Sequence, residues 1–305
     1  MLLSVIIPVY NSDRTIGRLV EHVLETLDRS ILEIILINDS SQDQSENVCS
    51  ELAQRFEQVK FISLRRNFGE FNAVMCGLNY AQGDYCVMID DDFQNPPSEI
   101  LKLIQTAQQN GYDVVYSFYE QKKHSLFRNA GSMLVNWLTN WLLEKPKDLY
   151  LSSFKLIARP VVQEIIKYKG PYPYIDGLIF RVTRNVGRVQ VSHNKREEGQ
   201  SGYTLRKLTS LFLTIVFGYS LKPLRLLTAG GLLAIALSCS IVLLDTVFWA
   251  VHAPFFIFNL PFLLLLFFSG MILTALGVVG EYIGRMYMAQ SGLPQYVEKF
   301  SVSKR

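Results

Sequence analysis

Three consecutive acids, Asp90-Asp91-Asp92, are the most chemically pointed feature of this 305-residue sequence. They end an apolar run, Tyr85–Ile89, and precede Phe93-Gln94-Asn95-Pro96-Pro97. Adjacent carboxylates repel one another, and a strand end has no structural need of three. A bound divalent cation offsets that repulsion, and a set of hard oxygen donors suits magnesium or manganese. Alternate residues of an extended chain project to the same side, so Asp90 and Asp92 are the expected metal pair. A solvated acidic turn is the plainer alternative, and the upstream Asp39, also at a strand end, weighs against it.

The elements that must position these acids alternate along the first 120 residues. Strand patterns at Ser4–Val9, Leu32–Ile37, Lys60–Leu64, Tyr85–Ile89 and Val114–Tyr116 are interleaved with helical patterns at Thr15–Leu27, Glu46–Phe56, Phe71–Tyr80 and Ile100–Gln109. That alternation predicts an α/β fold, a doubly wound and mostly parallel sheet with helices on both faces. In such sheets the ligand crevice lies beyond the C-terminal strand ends. Tyr10-Asn11, Asn38-Asp39 and the three aspartates all fall there. No Gly-x-Gly-x-x-Gly follows the first strand and there is no Walker A sequence, so a dinucleotide oxidoreductase and a P-loop NTPase are both disfavoured.

Composition divides the chain in two. Of 57 charged residues only seven follow Arg225, and Leu226–Leu244 and Leu260–Gly280 carry none. Nineteen such residues make a helix of roughly 28 Å, which matches a bilayer core of about 30 Å. Two spans are therefore expected. Lys195, Arg196, Arg206, Lys207, Lys222 and Arg225 precede the first span and Arg285, Lys299, Lys304 and Arg305 follow the second, while Thr246–Asn259 has no Lys or Arg. The positive-inside rule puts that connection outside and both termini in the cytoplasm. Gly202–Leu221, with Leu205, Leu208, Phe212, Ile215 and Tyr219 on one stripe, reads as a helix lying in the headgroup region. Glu281–Arg285 reads as a return to polar, interfacial sequence. Leu2–Val9 lacks a basic region before it and a small-residue cleavage site after it, so it reads as a strand rather than a signal peptide.

Other classes drop out. Cys49, Cys76, Cys86 and Cys239 have neither paired nor zinc-ligand spacing and read as buried thiols. A net charge of +3 is too small and too scattered to argue for nucleic acid.

Several motifs in order carry a resemblance. Ser4–Asn11 (SVIIPVYN), Asn38–Asp43 (NDSSQD), Arg66–Gly69 (RNFG) and Asp90–Pro97 (DDDFQNPP) resemble those of family-2 inverting glycosyltransferases, and more closely the polyprenyl-phosphate glycosyltransferases. Gly199–Tyr203 (GQSGY) and Gly280–Arg285 (GEYIGR) extend it almost end to end. The resemblance implies a cytoplasmic GT-A domain at 1–200, a juxtamembrane amphipathic helix at 201–224, two transmembrane helices within 225–280 and a cytoplasmic segment at 281–305. It implies transfer from a nucleotide sugar, expected to be UDP-linked, to polyprenyl (undecaprenyl) phosphate at the bacterial cytoplasmic membrane, by a homo-oligomer for which a tetramer is one candidate. Pro8, Tyr10, Asn11 and Asp39 would line the nucleotide pocket. Asp90, Asp91, Asp92 and Gln94 would belong to the diphosphate and metal site, with magnesium or manganese on Asp90 and Asp92. Arg196 and the loop to Ser201 would close over the donor. Lys122, Lys123, Arg128 and Ser132 would face the acceptor phosphate.

The chain departs from the pattern twice. Related bacterial enzymes carry an acid in a Gly-Asp-Phe-Arg type stretch, often assigned as the catalytic base, and the stretch here is Ser152-Ser153-Phe154-Lys155. The usual lysine of the Ser-Lys-Tyr type loop is Gly202. A phosphate monoester has a second pKa of about 6, so its oxygen needs little deprotonation at neutral pH. Asp176 is a candidate replacement carboxylate, with a loop or helix-capping role as its alternative. Two other functions stay open: a family-2 transferase with another lipid or glycan acceptor, and a non-catalytic membrane protein that binds nucleotide sugars.

Overall fold

The computed structural model describes residues 2–27, 31–119, 149–194, 224–233 and 260–304, with residues 216, 236 and 240. Lys122, Lys123, Arg128, Ser132, Arg196, Ser201, Cys239 and the amphipathic stretch before Leu221, Val216 apart, lie outside them, as does most of the first expected span. The chain divides into two units, residues 1–208 with 292–305 and residues 209–291.

The first unit is built on one sheet. In chain order its elements are β1 (Leu3–Val9), α1 (Ile16–Leu27), β2 (Ile31–Asn38), α2 (Ser45–Arg55), β3 (Val59–Leu64), α3 (Glu70–Tyr80), β4 (Tyr85–Met88), α4 (Ile100–Asn110), β5 (Val114–Phe118), β6 (Lys155–Ala158), α5 (Arg159–Ile165), α6 (Ile175–Val182), β7 (Val186–Gln190) and β8 (Glu298–Ser303). The eight strands lie in the order β7-β5-β6-β4-β1-β2-β3-β8. Every strand and helix expected in residues 1–120 is present. The sheet is more mixed than expected, with parallel pairings β1/β2, β1/β4, β2/β3 and β5/β7 and antiparallel pairings β3/β8, β4/β6 and β5/β6. The antiparallel pairings are made by β6 and β8, which come from beyond residue 120, where no alternation announces them.

Both faces of the sheet are covered, so β1 and β2 read as continuous apolar runs. Leu3, Val5, Ile7 and Val9 pack with Ile34 and Leu36 against Ile16, Leu19, Val20 and Val23 of α1 and Leu103 of α4. The alternate residues Ile6 and Ile37 face α3, whose Gly77 lies so close that an added Cβ would stand 2.6 Å from Ile6 Cγ2 and 2.8 Å from Ile37 Cδ1. Burial of each such aliphatic side chain contributes about 1.5–3 kcal/mol. Cys49, Cys76 and Cys86 are free and buried, as expected.

The central strand ends in a proline without losing a ladder bond. Ile6 O accepts from Ile89 N at 3.1 Å and Val9 O from Asp39 N at 2.9 Å, so Ile6 and Pro8 turn their backbone toward β4, and Val9 toward β2. The β1/β4 pairing stops at Ile6–Met88, and Pro8 faces the space beyond it, where no donor is needed. β1 is flanked by β2 on one side and β4 on the other, because the chain crosses over after β3. The gap beyond the ends of β1 and β4 is the topological switch point of the sheet.

In the second unit the main described element is α7 (Leu260–Gln290), 31 residues long. Its segment Phe267–Gln290 is apolar and none of it is buried, and it is the one helix among the described residues long and apolar enough to cross a membrane. Glu281–Arg285, expected as a return to polar, interfacial sequence, is a continuous part of this helix, with Arg285 Nε donating to Glu281 Oε1 at 2.9 Å. A shorter apolar helix covers Leu224–Leu233.

Gly77→Val drives methyl groups into Ile6 and Ile37. It is expected to cost about 1–3 kcal/mol, read as a lowered unfolding midpoint in detergent; an unchanged midpoint would contradict the close approach of α3 to the sheet.

Candidate active site

The site is assembled from the loops at the C-terminal ends of β1, β2 and β4. Their backbone is unusual. The non-glycine residues with positive φ among those described are Asn11 at 54°, Ser40 at 59° and Phe93 at 58°, one in each loop. Such conformations cost energy and gather where a site over-determines the backbone. Side chains lace the first two loops together: Asn11 Oδ1 accepts from Gln42 N at 2.8 Å, Ser41 Oγ from Asn11 N at 3.0 Å and Ser45 Oγ from Ser12 N at 2.8 Å.

The three aspartates have different environments. Asp91 turns inward, and its Oδ2 accepts from Tyr10 N at 3.0 Å and from the Ser12 hydroxyl. Burial pushes its carboxyl up to about 6 against the pull of those two bonds. Asp90 Oδ2 accepts from Ser153 Oγ at 2.5 Å, and Asp92 Oδ1 from Gln94 N at 3.0 Å. Asp90 and Asp92 each supply carboxylate oxygen, the chemistry magnesium and manganese take. Among the described residues no three His, Cys, Asp or Glu side chains converge on one ion position, so waters or substrate oxygens would complete the shell, as is usual for magnesium.

Asp39 is buried and clamps the neighbouring loop. Its Oδ1 accepts from Phe68 N at 2.7 Å and its Oδ2 from Gly69 N at 2.8 Å. Burial outweighs the two bonds and raises its carboxyl to about 6. A carboxylate has further lone pairs, so a contact to a nucleotide stays open to it. Tyr10, 45% exposed, borders the same loops.

On the other side of Asp90 lies a polar layer from β5 and β6. Ser117 Oγ donates to Phe154 O at 2.7 Å and lies 2.9 Å from the Ser152 hydroxyl, which can donate to it, and Tyr119 Oη donates to Asn95 Oδ1 at 2.8 Å. Ser153, at the position where an acid was expected, supplies Asp90 with a hydroxyl donor. Asp176 is in the first turn of α6, buried, and accepts from Tyr116 Oη at 2.9 Å and from Lys155 Nζ. The Lys155 ammonium also lies 4.9 Å from the centre of the Tyr116 ring. Asp176 is thus one half of a buried ion pair; it does not cap α6.

Two residues that sequence reasoning missed stand at this site. His193 packs on Tyr119 with ring centroids 4.1 Å apart, and its Nε2 lies 3.4 Å from Gln94 Nε2. Burial lowers its pKa, although Asp92 opposes the shift. Glu70, the first residue of α3, is exposed. Desolvation and the neighbouring Asp90 raise its carboxyl to about 7, with Lys155 opposing. Its signal in the sequence was an acid directly after Arg66–Gly69.

With this geometry in place, the comparisons with known proteins define the class. The model of glycosyl transferase family 2 matches residues 4–160, and the chain belongs to that family and is a glycosyltransferase. The match covers the β1, β2 and β4 loops and all three aspartates. Over nearly its whole length the chain is similar to undecaprenyl-phosphate 4-deoxy-4-formamido-L-arabinose transferases. It is 33% identical over 300 residues to that of Photorhabdus laumondii, covering 96% of this chain and 92% of the relative. It is 31% identical to that of an Enterobacter species, covering 99% and 94%. Among solved structures, glucosyl-3-phosphoglycerate synthase of Mycobacterium tuberculosis, in complex with Mn2+, UDP-glucose and phosphoglyceric acid, shares the fold. Its TM-score is 0.53 at 19% identity, over 70% of this chain and 76% of that one. The GT-A-like sheet expected from the sequence is thereby established.

Two substitutions separate scaffold from chemistry. Asp39→Ala removes two charge-assisted bonds, each worth about 1.5–3 kcal/mol, and faster amide exchange at Phe68 and Gly69 is expected; unchanged protection would refute the clamp. Lys155→Met leaves Asp176 buried and unpaired, an expected loss of about 3–5 kcal/mol. Lys155→Met with Asp176→Leu should recover much of it in thermal unfolding, whereas additive losses would contradict the pair.

Proposed function

We propose that this chain transfers a sugar from a nucleotide donor, UDP-linked, to undecaprenyl phosphate, with inversion at the anomeric carbon, at the bacterial cytoplasmic membrane. The observation that carries the reading is the near full-length similarity to transferases whose names specify undecaprenyl phosphate. The fold neighbour complexed with Mn2+ and UDP-glucose supports a nucleotide-sugar donor and a divalent cation. Asp90 and Asp92 would hold magnesium or manganese, which supplies charge neutralisation at the departing diphosphate. Tyr10, Asn11 and Pro8 would border the nucleotide, with Gln94 at the diphosphate and Asp39 and Asp91 fixing the loops around them. A phosphate oxygen of the acceptor attacks the anomeric carbon in line with the leaving nucleoside diphosphate. Arg196 and Ser201 would act on the donor, and Lys122, Lys123, Arg128 and Ser132 on the acceptor phosphate. Confinement of the lipid to the bilayer plane contributes much of the positioning.

Two membrane spans fit the chain's own connectivity. β8 completes the sheet edge against β3, from Lys60–Ser303 to Leu64–Glu298, so the chain that leaves the first unit returns to the same side of any membrane. An even number of crossings between fits that return. α7 is a candidate for one, and the uncharged run Leu226–Leu244 supports the other. A lipid-linked acceptor gives such an anchor its purpose.

The test is a transfer assay on the full-length protein in detergent, with undecaprenyl phosphate, magnesium or manganese, and UDP-sugars that include UDP-4-deoxy-4-formamido-L-arabinose. A polyprenyl monophosphate sugar formed only with metal is expected; UDP release without a lipid product would point to another acceptor. Asp92→Asn should lower turnover by about 10²-fold or more while membrane insertion stays intact, and near-normal turnover would overturn the metal assignment.

A further inference from the structure

We propose that Asn38 and Glu46 are positioning residues for the nucleotide donor, a role that rests on the donor assigned above. Asn38 is the last residue of β2 and is fully buried. Glu46 lies in the first turn of α2 and is half-buried. From them to the β1 loop runs a chain of hydrogen bonds in which each donor and acceptor is determined.

The chain starts at a group that only accepts. Glu46 Oε1 takes the Lys299 ammonium of β8 at 2.8 Å, and its Oε2 takes the Ser63 hydroxyl at 2.6 Å. The Ser63 proton is thereby committed, and its oxygen accepts from Asn38 Nδ2 at 3.3 Å. Asn38 Nδ2 also lies 3.4 Å from Glu46 Oε2. The Asn38 amide therefore has its nitrogen toward the carboxylate. Its oxygen faces the other way and accepts from Ser41 N at 3.1 Å and Ser41 Oγ at 2.5 Å. With its proton given to Asn38, Ser41 Oγ accepts from Asn11 N at 3.0 Å.

The last links act on strained backbone. Ser40 and Asn11 have φ of 59° and 54°, conformations that persist only where the surroundings over-determine them. The Asn38 side chain spans Asp39 and Ser40 to reach Ser41, and Ser41 holds the Asn11 amide. Tyr10 and Asn11 border the nucleotide in the reading above. Loss of the chain's direction therefore loosens a surface that the donor meets and leaves the reacting groups in place. Such a change weakens ground-state and transition-state binding alike, which raises KM and spares kcat.

A directional chain can be reversed. Asn38→Asp puts a second acceptor against Glu46 Oε2. Glu46→Gln puts a donor against Asn38 Nδ2 or against Lys299, whichever way its amide turns. Together the two changes restore the match. The new amide oxygen faces Lys299, and its nitrogen donates to Ser63 Oγ and to the carboxylate at position 38.

The experiment uses full-length wild type, Asn38→Asp, Glu46→Gln and the double variant in detergent. UDP affinity with magnesium is measured by calorimetry, and kcat and donor KM with undecaprenyl phosphate and a UDP-sugar the wild type uses. Each single variant should weaken UDP affinity and raise donor KM by about five- to tenfold, the loss of roughly one hydrogen bond. Their kcat should stay within about twofold. The double variant should return UDP affinity and donor KM to within about threefold of wild type. Ser41→Ala removes only the link to Asn11 and should show the same split, which keeps the test decisive if Asn38→Asp does not fold. Wild-type UDP affinity in the single variants and in Ser41→Ala would overturn the proposal, whatever their unfolding midpoints. So would additive losses in the double variant, or a loss carried by kcat alone. A wild-type protein that binds no UDP would overturn the nucleotide assignment, and the positioning role with it.

Discussion

Asp91 turns its carboxylate away from its two neighbours and onto the Tyr10 amide and the Ser12 hydroxyl, and the site depends on that turn. β1 and β4 stop pairing at Ile6–Met88, so nothing in the sheet ties their loops together beyond that point. Asp91 Oδ2 supplies the tie. Asp90 and Asp92 take other partners, the Ser153 hydroxyl and the Gln94 amide. One acid of the three is thereby consumed in structure. The chain tolerates three adjacent carboxylates because they do not share one environment. Burial lifts the middle one to about 6, while its neighbours bond to Ser153 and Gln94.

The same division recurs around the crevice. Asp39 spends both oxygens on the Phe68 and Gly69 amides, which fixes where α3 begins and so where Glu70 stands. Lys155 and Asp176 satisfy each other in the interior, and the Tyr116 hydroxyl completes the carboxylate's shell. Breaking a buried pair costs far more than its net contribution to stability, so this pair fixes geometry rather than adding much to folding energy. A rigid floor under the reacting groups is what a transfer site needs, because small misplacements of reacting atoms are expensive in rate.

Much of this was legible in the sequence. Residues 1–120 carry a strong alternation of apolar runs and amphipathic stretches, and each expected element formed. A strand buried on both faces needs continuous apolar sequence, and β1 and β2 supply it locally. Asp90 and Asp92 were expected as a pair from the two-residue period of an extended chain; folding gives them different partners, Ser153 and Gln94. β6, β7 and β8 escaped notice because they are short and make sense only as partners of strands far away in the chain. β8 is the extreme case, a mostly exposed hexapeptide near the C-terminus that pairs with β3 across more than 230 residues.

What the sequence determined by itself was residue chemistry, local period and family, and from these the fold class followed. Only the tertiary structure decided which carboxylates remain available. Asp176 was a candidate base on its type and neighbourhood, and folding enclosed it with Lys155. Glu70 was not singled out, and folding makes it the first residue of α3, with Asp90, Asp91 and Lys155 acting on its charge. The physical reason is that a carboxylate's reactivity lies in its solvation and its partners. Those come from elements that the chain separates by tens to hundreds of residues and only the packed sheet brings together.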